Sequence, residues 1–402
     1  MNTTKENFLR IKKLKIKKRN CPVCNSKKFS NFYKNEKYSK IDARGNIFEY
    51  KHNLVRCKYC NLIYSNPWLG YDNTNLIYKY SAIGSAFEVS KKSERHFSCF
   101  KSFFTKKSFK KKNIKILEIG TATGSLLKNI HNFYNLKKKN LFGIEPSRKL
   151  YQNLKENKYF EIENKFIHEL SNIEKFDLII MDNVFEHIEK PKEALEIIKS
   201  LMKVNSKIYV SVPNVFKLKK NFRDPFGHSI NYYENNIKFI FNSCNFKIIK
   251  LKKQYRYLNF IAKIDLEKKL LKYNFKNDYK TKFNRLKKFS DDSLLFKNKI
   301  IKKFKKLEKE IKVNNLKVIL FGASNFALEF LRHTNIFENI IFLADSNKMY
   351  HNKMRFGIKV ISPKMLKSLK FDKIIITSDA FLHDIKKNLF KLNISREKII
   401  SI

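Results

Sequence analysis

The sequence predicts an α/β protein with more than one domain, and three observations lead to this prediction. The chain has 402 residues, which is longer than most single domains. From Asn113 onward, apolar runs of four to seven residues alternate with segments of helical periodicity, and a second such series begins at Lys317. Short buried strands that alternate with helices are typical of βαβ units around a parallel sheet. We therefore expect two α/β domains.

The composition of the chain along its length divides it into six segments. A basic tail, a cysteine-bearing module of short turn-rich pieces and a helical connector precede the first α/β domain. A Lys-rich helical linker separates that domain from the second. The expected bounds, in this order, are 1–19, 20–70, 71–112, 113–264, 265–312 and 313–402. Within them we expect a helix from Lys91 toward Lys110, and strands at Phe246–Leu251 and Tyr257–Ile264.

The formal net charge of +50 raises the question of a nucleic-acid partner. The charge is spread over the whole chain, and only 12 of the 86 basic residues are Arg. Proteins that read phosphates and base edges rely on the bidentate guanidinium of Arg. Asn, Ile, Phe and Tyr are also abundant. A chain-wide compositional drift toward Lys, Asn and Ile therefore explains the charge better than a dedicated nucleic-acid-binding surface. The sequence disfavours nucleic acid as a partner.

The beginning of the chain is basic but lacks the apolar core of a signal peptide. No apolar run approaches the 18 residues that a transmembrane helix needs. We therefore expect no transmembrane segment and a cytoplasmic location. The stretch from Phe8 to Lys18 fits an anionic membrane surface, but a solvated basic tail is the preferred interpretation.

Four of the six cysteines form two Cys-x-x-Cys pairs, Cys21 with Cys24 and Cys57 with Cys60. In an intracellular chain, such pairs favour metal binding over disulfides. Four thiolates complete the tetrahedral shell of a structural zinc ion, and nothing in the pattern suggests an open position. The alternative is two surface turns with unrelated thiols. The sequence thus predicts one structural Zn²⁺ site.

A glycine-bearing turn follows the first strand of the central domain, in the segment LEIGTATG. Gly120 and Gly124 allow the backbone to approach a ligand closely at the start of a helix. Dinucleotide enzymes use three glycines to hold a pyrophosphate, and this turn has two. Glu145 ends the next strand, where a carboxylate can accept both hydroxyls of a ribose. The pattern indicates a nucleoside ligand and does not require phosphates.

Polar residues also follow the third strand, which ends at Asp182 and Asn183. In an open α/β sheet, the carboxyl ends of the strands form the ligand edge. Glu186 and His187 come directly after, at the beginning of a short helical segment. The candidate cofactor-binding residues are Glu118, Gly120, Thr121, Gly124, Glu145, Asp182 and Asn183.

Three motifs in this order, LEIGTATGSLL, FGIEPS and MDNVFEHIEKP, resemble the Rossmann-like S-adenosylmethionine (SAM)-dependent methyltransferases. The segment CKYCNLIYSNPWLGYDNTNLIYKYS is similar to the end of the zinc module of one subgroup. The C-terminal GASNFALEFL, FLADSN and FDKIIITSDAFLHDI resemble the additional domain of sugar C-methyltransferases. Together the resemblance covers residues 20–402.

The resemblance implies a Rossmann-like SAM domain between an N-terminal zinc module and a second, C-terminal Rossmann-like domain. It implies SAM as cofactor, with Glu118, Gly120 and Gly124 at the glycine turn and Glu145 on the ribose. It assigns zinc to the four paired cysteines. The implied substrate is a sugar nucleotide or a glycan precursor, held between the central and C-terminal domains. Tyr78 and Tyr80 are placed near the mouth of the site, or in aromatic packing under the zinc module.

The sequence departs from the family pattern in two places. Ala122 replaces the middle glycine of the turn, and the segment from Asp224 to His228 lacks the Tyr and Glu that the C-methyltransferases carry there. His228 is retained, and its imidazole can accept a proton from an acceptor group. The catalytic candidates are therefore His228, Glu186 and His187. Their alternative role is structural, with His228 capping its loop and Glu186 and His187 capping the start of a helix. The departure leaves carbon, oxygen and nitrogen open as methyl acceptors.

Two other functions remain possible from the sequence. One is an RNA methyltransferase that docks its substrate on the zinc module and the basic surface. The other is a zinc-bearing binding protein with a disabled SAM fold, against which the intact set of Glu118, Gly120, Gly124 and Glu145 argues. In the C-terminal domain, Gly322 at a helix start and Asp345 after the next strand have the arrangement of a nucleotide site. A packing role explains these two residues equally well. The oligomeric state and the identity of the sugar do not follow from the sequence.

Overall fold

The structure is a computed structural model. It describes residues 11–41, 46–80, 86–110, 113–170, 174–217, 228–267, 273, 275, 280–378 and 381–402. The strands of these ranges form three sheets, one for the cysteine-bearing module and one for each α/β unit. Over the same ranges, no helix combines the length and the apolar character that crossing a membrane requires.

The first sheet belongs to the cysteine-bearing module and is built around a long antiparallel hairpin. Its strands are β1 (Ile11–Lys13), β2 (Phe29–Ile41), β3 (Ile47–Cys57), β4 (Ile63–Ser65) and β10 (Ile230–Asn231). The sequence predicts short turn-rich pieces here, and the hairpin of β2 and β3 differs from that prediction. Its physical basis is visible in β3, where Phe48, Tyr50, His52 and Leu54 are buried at two-residue intervals typical of a half-buried strand.

Residues 11–19 are not a free tail, although the lysine side chains of this stretch are exposed to solvent as predicted. The backbone of β1 pairs in parallel with β3, and Lys17 forms a bridge with Trp68. Arg19 places its guanidinium 2.7 Å from a carboxylate oxygen of Glu189, and both side chains are largely buried. Backbone pairing and a buried charge pair hold this stretch against the rest of the chain. The preceding ten residues, which include Phe8, lie outside the described ranges.

Two helices connect the module to the central sheet, α1 (Tyr71–Lys79) and α2 (Ala86–Lys101). The second begins before the predicted start at Lys91 and ends well before Lys110. A 3₁₀ turn follows at Lys106–Phe109.

The central sheet has seven strands in the order β11-β12-β9-β8-β5-β6-β7. Five of them are parallel, and β12 and β11 complete one edge in antiparallel orientation. The strands are β5 (Ile116–Ile119), β6 (Leu141–Ile144), β7 (Glu161–Glu163), β8 (Phe176–Asp182), β9 (Met202–Pro213), β11 (Phe246–Gln254) and β12 (Tyr257–Ile264). The helices between them are α3 (Ser125–Tyr134), α4 (Arg148–Leu154), α5 (Pro191–Ser200) and α6 (Glu234–Ser243).

The third sheet lies in the C-terminal α/β unit, and the long helix α7 (Lys280–Val313) precedes it. Its strand order is β15-β16-β14-β13-β17-β18, parallel except for β15. The elements are β13 (Val318–Phe321), α8 (Asn325–His333), β14 (Ile340–Ala344), β15 (Met354–Arg355), β16 (Ile358–Ile361), β17 (Lys373–Ile376), α9 (Leu382–Lys391) and β18 (Ile399–Ser401). The predicted α/β fold class, with two parallel-sheet units, is confirmed.

The first module also contacts the C-terminal unit. Ile47 of β3 is fully buried in the same apolar core as Phe304 of α7 and Leu320 of β13. Arg332 of α8 lies 2.6 Å from the carboxylate of Glu49 on β3. The module therefore packs against both α/β units.

Candidate active site

A cavity of about 430 Å³ lies at the carboxyl edge of the central sheet. Strands β5, β6 and β8 are neighbours and parallel, so the residues that follow them converge there. Helices α1 and α2 form the opposite wall. The lining residues that the sequence singles out are Tyr78, Glu118, Gly120, Thr121, Glu145, Asp182, Asn183 and His187.

The glycine turn after β5 has the backbone conformation that its sequence predicts. Gly120 and Gly124 have φ angles of 74° and 69°. A Cβ atom at Gly120 would lie only 2.7 Å from Cγ2 of Val184, so neither the conformation nor the space admits a side chain. Ala122, which stands where the family has a glycine, also has a positive φ of 52°. This alanine is therefore held in a strained region of backbone space.

Glu145 links the turn to the second strand. One carboxylate oxygen accepts a hydrogen bond from the backbone N–H of Ala122, and the other from that of Ser147, each at 2.8 Å. Burial raises the pKa of Glu145. A carboxylate has about four acceptor positions, so this arrangement leaves capacity for the hydroxyls of a ribose. The carboxylate can therefore shape the turn and hold a nucleoside at the same time.

Glu118 lies beneath the turn and is almost completely buried. Burial raises its pKa well above the usual range, and the negative charges of Asp182 and Glu145 raise it further. Within the described part of the chain, its Oε2 atom has no hydrogen-bond partner. A cationic ligand in this cavity would stabilise the ionised form of Glu118.

His96 is a cavity residue that the sequence analysis did not identify. It belongs to α2, and its Nδ1 atom lies 2.5 Å from Oδ2 of Asp182, with its side chain only 10% exposed. The other ring nitrogen, Nε2, is buried without a hydrogen-bond partner among the described residues. The contact gives Asp182 a role in orienting His96. No local motif marks His96, because its partner is 86 positions away.

Three catalytic candidates of the sequence come together, and of these His187 lines the cavity, whereas Glu186 and His228 do not. Glu186 and His187 lie in a 3₁₀ turn, Phe185–His187, and His228 approaches them from the segment before β10. Nε2 of His187 lies 4.0 Å from Oε1 of Glu186, and Nε2 of His228 lies 3.9 Å from the same oxygen. Tyr78 places its hydroxyl 2.7 Å from Nδ1 of His187. We call Glu186, His187 and His228 the acceptor cluster.

The four paired cysteines also converge. Sγ of Cys21 lies 3.6 Å from that of Cys60, and Sγ of Cys24 lies 3.5 Å from that of Cys57. All four sulfur atoms lie within 4.8 Å of one another, and none is in a disulfide. A zinc–sulfur distance of about 2.3 Å places tetrahedral sulfurs roughly 3.8 Å apart, so the cluster fits a zinc ion.

The remaining sequence motifs lie in the C-terminal unit and in the loop before His228. One oxygen of Asp345 accepts from the backbone N–H of Ala323 and the other from that of Asn347, at 2.8 and 2.7 Å. This repeats the arrangement of Glu145 in the central domain. The departure from the family pattern at positions 224–227 lies outside the described residues. Tyr80 stacks under the guanidinium of Arg148.

Comparison with known protein families assigns the central domain. Residues 94–278 match the family model described as a methyltransferase domain, and residues 314–400 match the model described as C2185-like, N-terminal. A search of curated proteins finds no match to this chain. The fold, the glycine turn and the cavity agree with the first match. The central part of the chain is therefore a methyltransferase domain, and the protein is a methyltransferase.

Solved structures of methyltransferases align with part of this chain. A SAM-dependent methyltransferase from Aquifex aeolicus has 15% identity and a TM-score of 0.37, with 45% of this chain and 98% of that chain covered. Another from Clostridium acetobutylicum has 14% identity and a TM-score of 0.33, with 43% and 92% covered. The identities and TM-scores are low, so the class rests on the family match.

Proposed function

We propose that this enzyme transfers the methyl group of SAM to a nucleotide-activated or surface-polysaccharide sugar. The observation that carries the proposal is the acceptor cluster, which opens onto the cavity beside the glycine turn through His187. The sugar rests on the resemblance to sugar C-methyltransferases. The paired backbone contacts of Asp345 support a second nucleotide site, where the nucleotide part of the substrate would bind.

Several side chains of the cavity have roles in this mechanism. Glu145 would hold the ribose, while Asp182, together with Glu118 once it has lost its proton, would balance the charge of the sulfonium cation. Bound SAM would supply a methyl group that is open to in-line displacement, with loss of the positive charge on sulfur. Alignment of acceptor and cofactor supplies much of the rate. The acceptor cluster, with His228 as a member, would then orient the acceptor and help to remove its proton.

We also propose that Cys21, Cys24, Cys57 and Cys60 hold a structural zinc ion. The mutual distances of the four sulfur atoms support it. Four thiolates leave no open coordination position, so the ion would stabilise the fold and take no part in chemistry.

The buried Glu118 makes SAM binding a proton-releasing event. The cofactor brings a positive charge to a carboxyl whose pKa burial has raised, and the pKa of that carboxyl falls on binding. SAM affinity will therefore increase as the pH rises through the raised pKa of the unliganded enzyme. Calorimetric titrations in buffers with different ionisation enthalpies will show different heats for the wild type.

The Glu118→Gln variant should remove this buffer dependence. Glu196→Gln changes an exposed carboxylate paired with Lys199, outside the cavity, and should keep the wild-type behaviour. Identical binding heats in every buffer for the wild type would contradict the proton release.

Removing His228 should reduce turnover far more than cofactor binding. A positioned acid–base group contributes roughly 10²–10⁴-fold to rate, so His228→Ala should lose activity in that range while SAM affinity stays within about twofold. The assay is transfer of labelled methyl from SAM to a panel of sugar nucleotides. His383→Ala, an exposed histidine of α9, is the matched control and should keep full turnover.

The same assay tests the substrate class. Bulk RNA is offered to the wild type beside the sugar nucleotides. Methyl incorporation into RNA and into none of the sugars would replace the sugar proposal by the RNA alternative. If the His228→Ala variant methylates sugars as fast as the wild type, the catalytic role of His228 is refuted, but the proposed substrate class is not.

A further inference from the structure

We propose that the acceptor cluster of Glu186, His187 and His228 binds a divalent first-row transition metal ion. This would be a second metal site, separate from the four cysteines. The inference deepens the proposed function and rests on it, because the ion would hold an oxygen of the methyl acceptor. The metal site itself can be tested without any acceptor.

The geometry of the cluster fits a metal ion. The ligand atoms of the two histidines lie 4.0 and 3.9 Å from Oε1 of Glu186, and all three atoms lie within 4.8 Å of one another. A point equidistant from three atoms about 4 Å apart lies about 2.3 Å from each of them, close to the 2.0–2.2 Å of zinc–nitrogen and zinc–oxygen bonds. Small side-chain rotations toward that point would complete the coordination.

The hydrogen bond of His187 selects the ring nitrogen that a metal needs. Tyr78 contacts Nδ1 at 2.7 Å. When Nδ1 carries the proton and donates to the tyrosine oxygen, the lone pair of the neutral ring resides on Nε2, the atom that faces Glu186. Metal-binding histidines usually have such a partner on the second nitrogen, which fixes both tautomer and orientation.

Burial and charge also favour a cation here. The side chain of Glu186 is only 2% exposed, whereas those of His187 and His228 are each 28% exposed. A divalent cation would be attracted to the carboxylate at that depth, and the more exposed histidine side would let it enter.

Two imidazoles and one carboxylate are a ligand set for zinc, manganese, iron or cobalt, with positions left for substrate or water. His187 lines the cavity, so those positions face the acceptor. A hydroxyl bound to the ion releases its proton to solvent more readily. A lone pair of the hydroxyl oxygen would then form the O–C bond to the methyl group while the C–S bond of SAM breaks. The sulfur would keep the electron pair of that bond and become a neutral thioether. The site therefore indicates an oxygen acceptor.

The test uses the full chain carrying one equivalent of zinc, titrated with Co²⁺ in the absence of acceptor. We expect one further Co²⁺ per chain, with visible absorption but without the thiolate charge-transfer bands of a cysteine site. Glu186→Gln, which keeps the shape of the side chain, should weaken Co²⁺ binding at least 100-fold. Tyr78→Phe should weaken it about tenfold, the size of effect that supporting partners have on metal affinity.

A histidine outside the cluster provides the control. His333→Ala removes a partly buried histidine of α8 that lies 3.5 Å from Glu329, and it should keep wild-type Co²⁺ affinity. SAM titration of every variant checks that the cavity remains folded. Wild-type protein that binds Co²⁺ no more tightly than Glu186→Gln would overturn the metal site and leave the methyltransferase proposal intact. Glu186-dependent Co²⁺ binding in an enzyme that methylates no sugar would support the site and contradict the sugar proposal.

Discussion

Gly120→Ala will weaken SAM binding by about 100-fold or more. The added Cβ would lie 2.7 Å from Cγ2 of Val184, and the φ of 74° at this position is unfavourable for any residue with a side chain. The left-handed conformation costs roughly 1–2 kcal/mol, and overpacking adds typically 1–3 kcal/mol. Either the turn or Val184 must shift to relieve the clash, and both line the cavity. Calorimetric titration with SAM measures the loss.

Two further variants separate the causes. Gly357→Ala also places an alanine at a positive φ, here 75°, but in the C-terminal unit. It carries backbone strain outside the cavity, so SAM affinity should be unchanged. Adding Val184→Ala to Gly120→Ala removes the obstructing methyl group and should restore part of the affinity. Wild-type SAM affinity in Gly120→Ala would contradict the placement of the cofactor.

Loss of zinc from the cysteine cluster should destabilise the central domain as well as the module. Cys21 and Cys57 belong to the same apolar core as Phe185 and Tyr232, which lie beside the acceptor cluster. Structural zinc contributes on the order of 10–16 kcal/mol of apparent binding free energy in small zinc domains. The Cys21→Ser/Cys24→Ser variant should therefore lose about one zinc per chain and melt well below the wild type. Metal analysis and thermal unfolding are the measurements.

The remaining two cysteines supply a matched control. Cys99 and Cys244 are buried, and neither belongs to the four-sulfur cluster. Cys99→Ser/Cys244→Ser makes the same chemical change twice and should retain the zinc. Full zinc content in Cys21→Ser/Cys24→Ser would refute the proposed ligand set.

The positions around the glycine turn were predictable because their cause is local. A strand, a turn with Gly120 and Gly124, and an acidic residue after the next strand are all readable from short windows of sequence. Parallel pairing of β5 with β6 and β8 then brings Glu145 and Asp182 to one edge without further information. The sequence therefore predicted most of the residues that line the cavity on this side, but Gly124, which it also predicted to bind the cofactor, does not line it.

Residues that depend on long-range packing were not predictable in the same way. His96 reaches Asp182 from a helix that precedes the central sheet, and nothing in its own segment marks it. The sequence named Glu186 and His228 separately, but their 3.9 Å approach follows from the path of β10 beside β4. The pairing of β1 with β3 also escaped prediction, because a short Lys-rich strand has no hydrophobic alternation to reveal it.

The contacts of Arg19 bear on how this enzyme can change in evolution. Its guanidinium binds the carboxylate of Glu189 and the backbone carbonyls of Ser65 and Ser229. Glu189 lies two residues beyond His187, and Ser229 follows His228, so one side chain of the first module joins both segments of the acceptor cluster. The cysteine-bearing module could therefore not be exchanged on its own for that of a related protein. Such an exchange would preserve the geometry of the acceptor cluster only if Arg19 and Glu189 were inherited together.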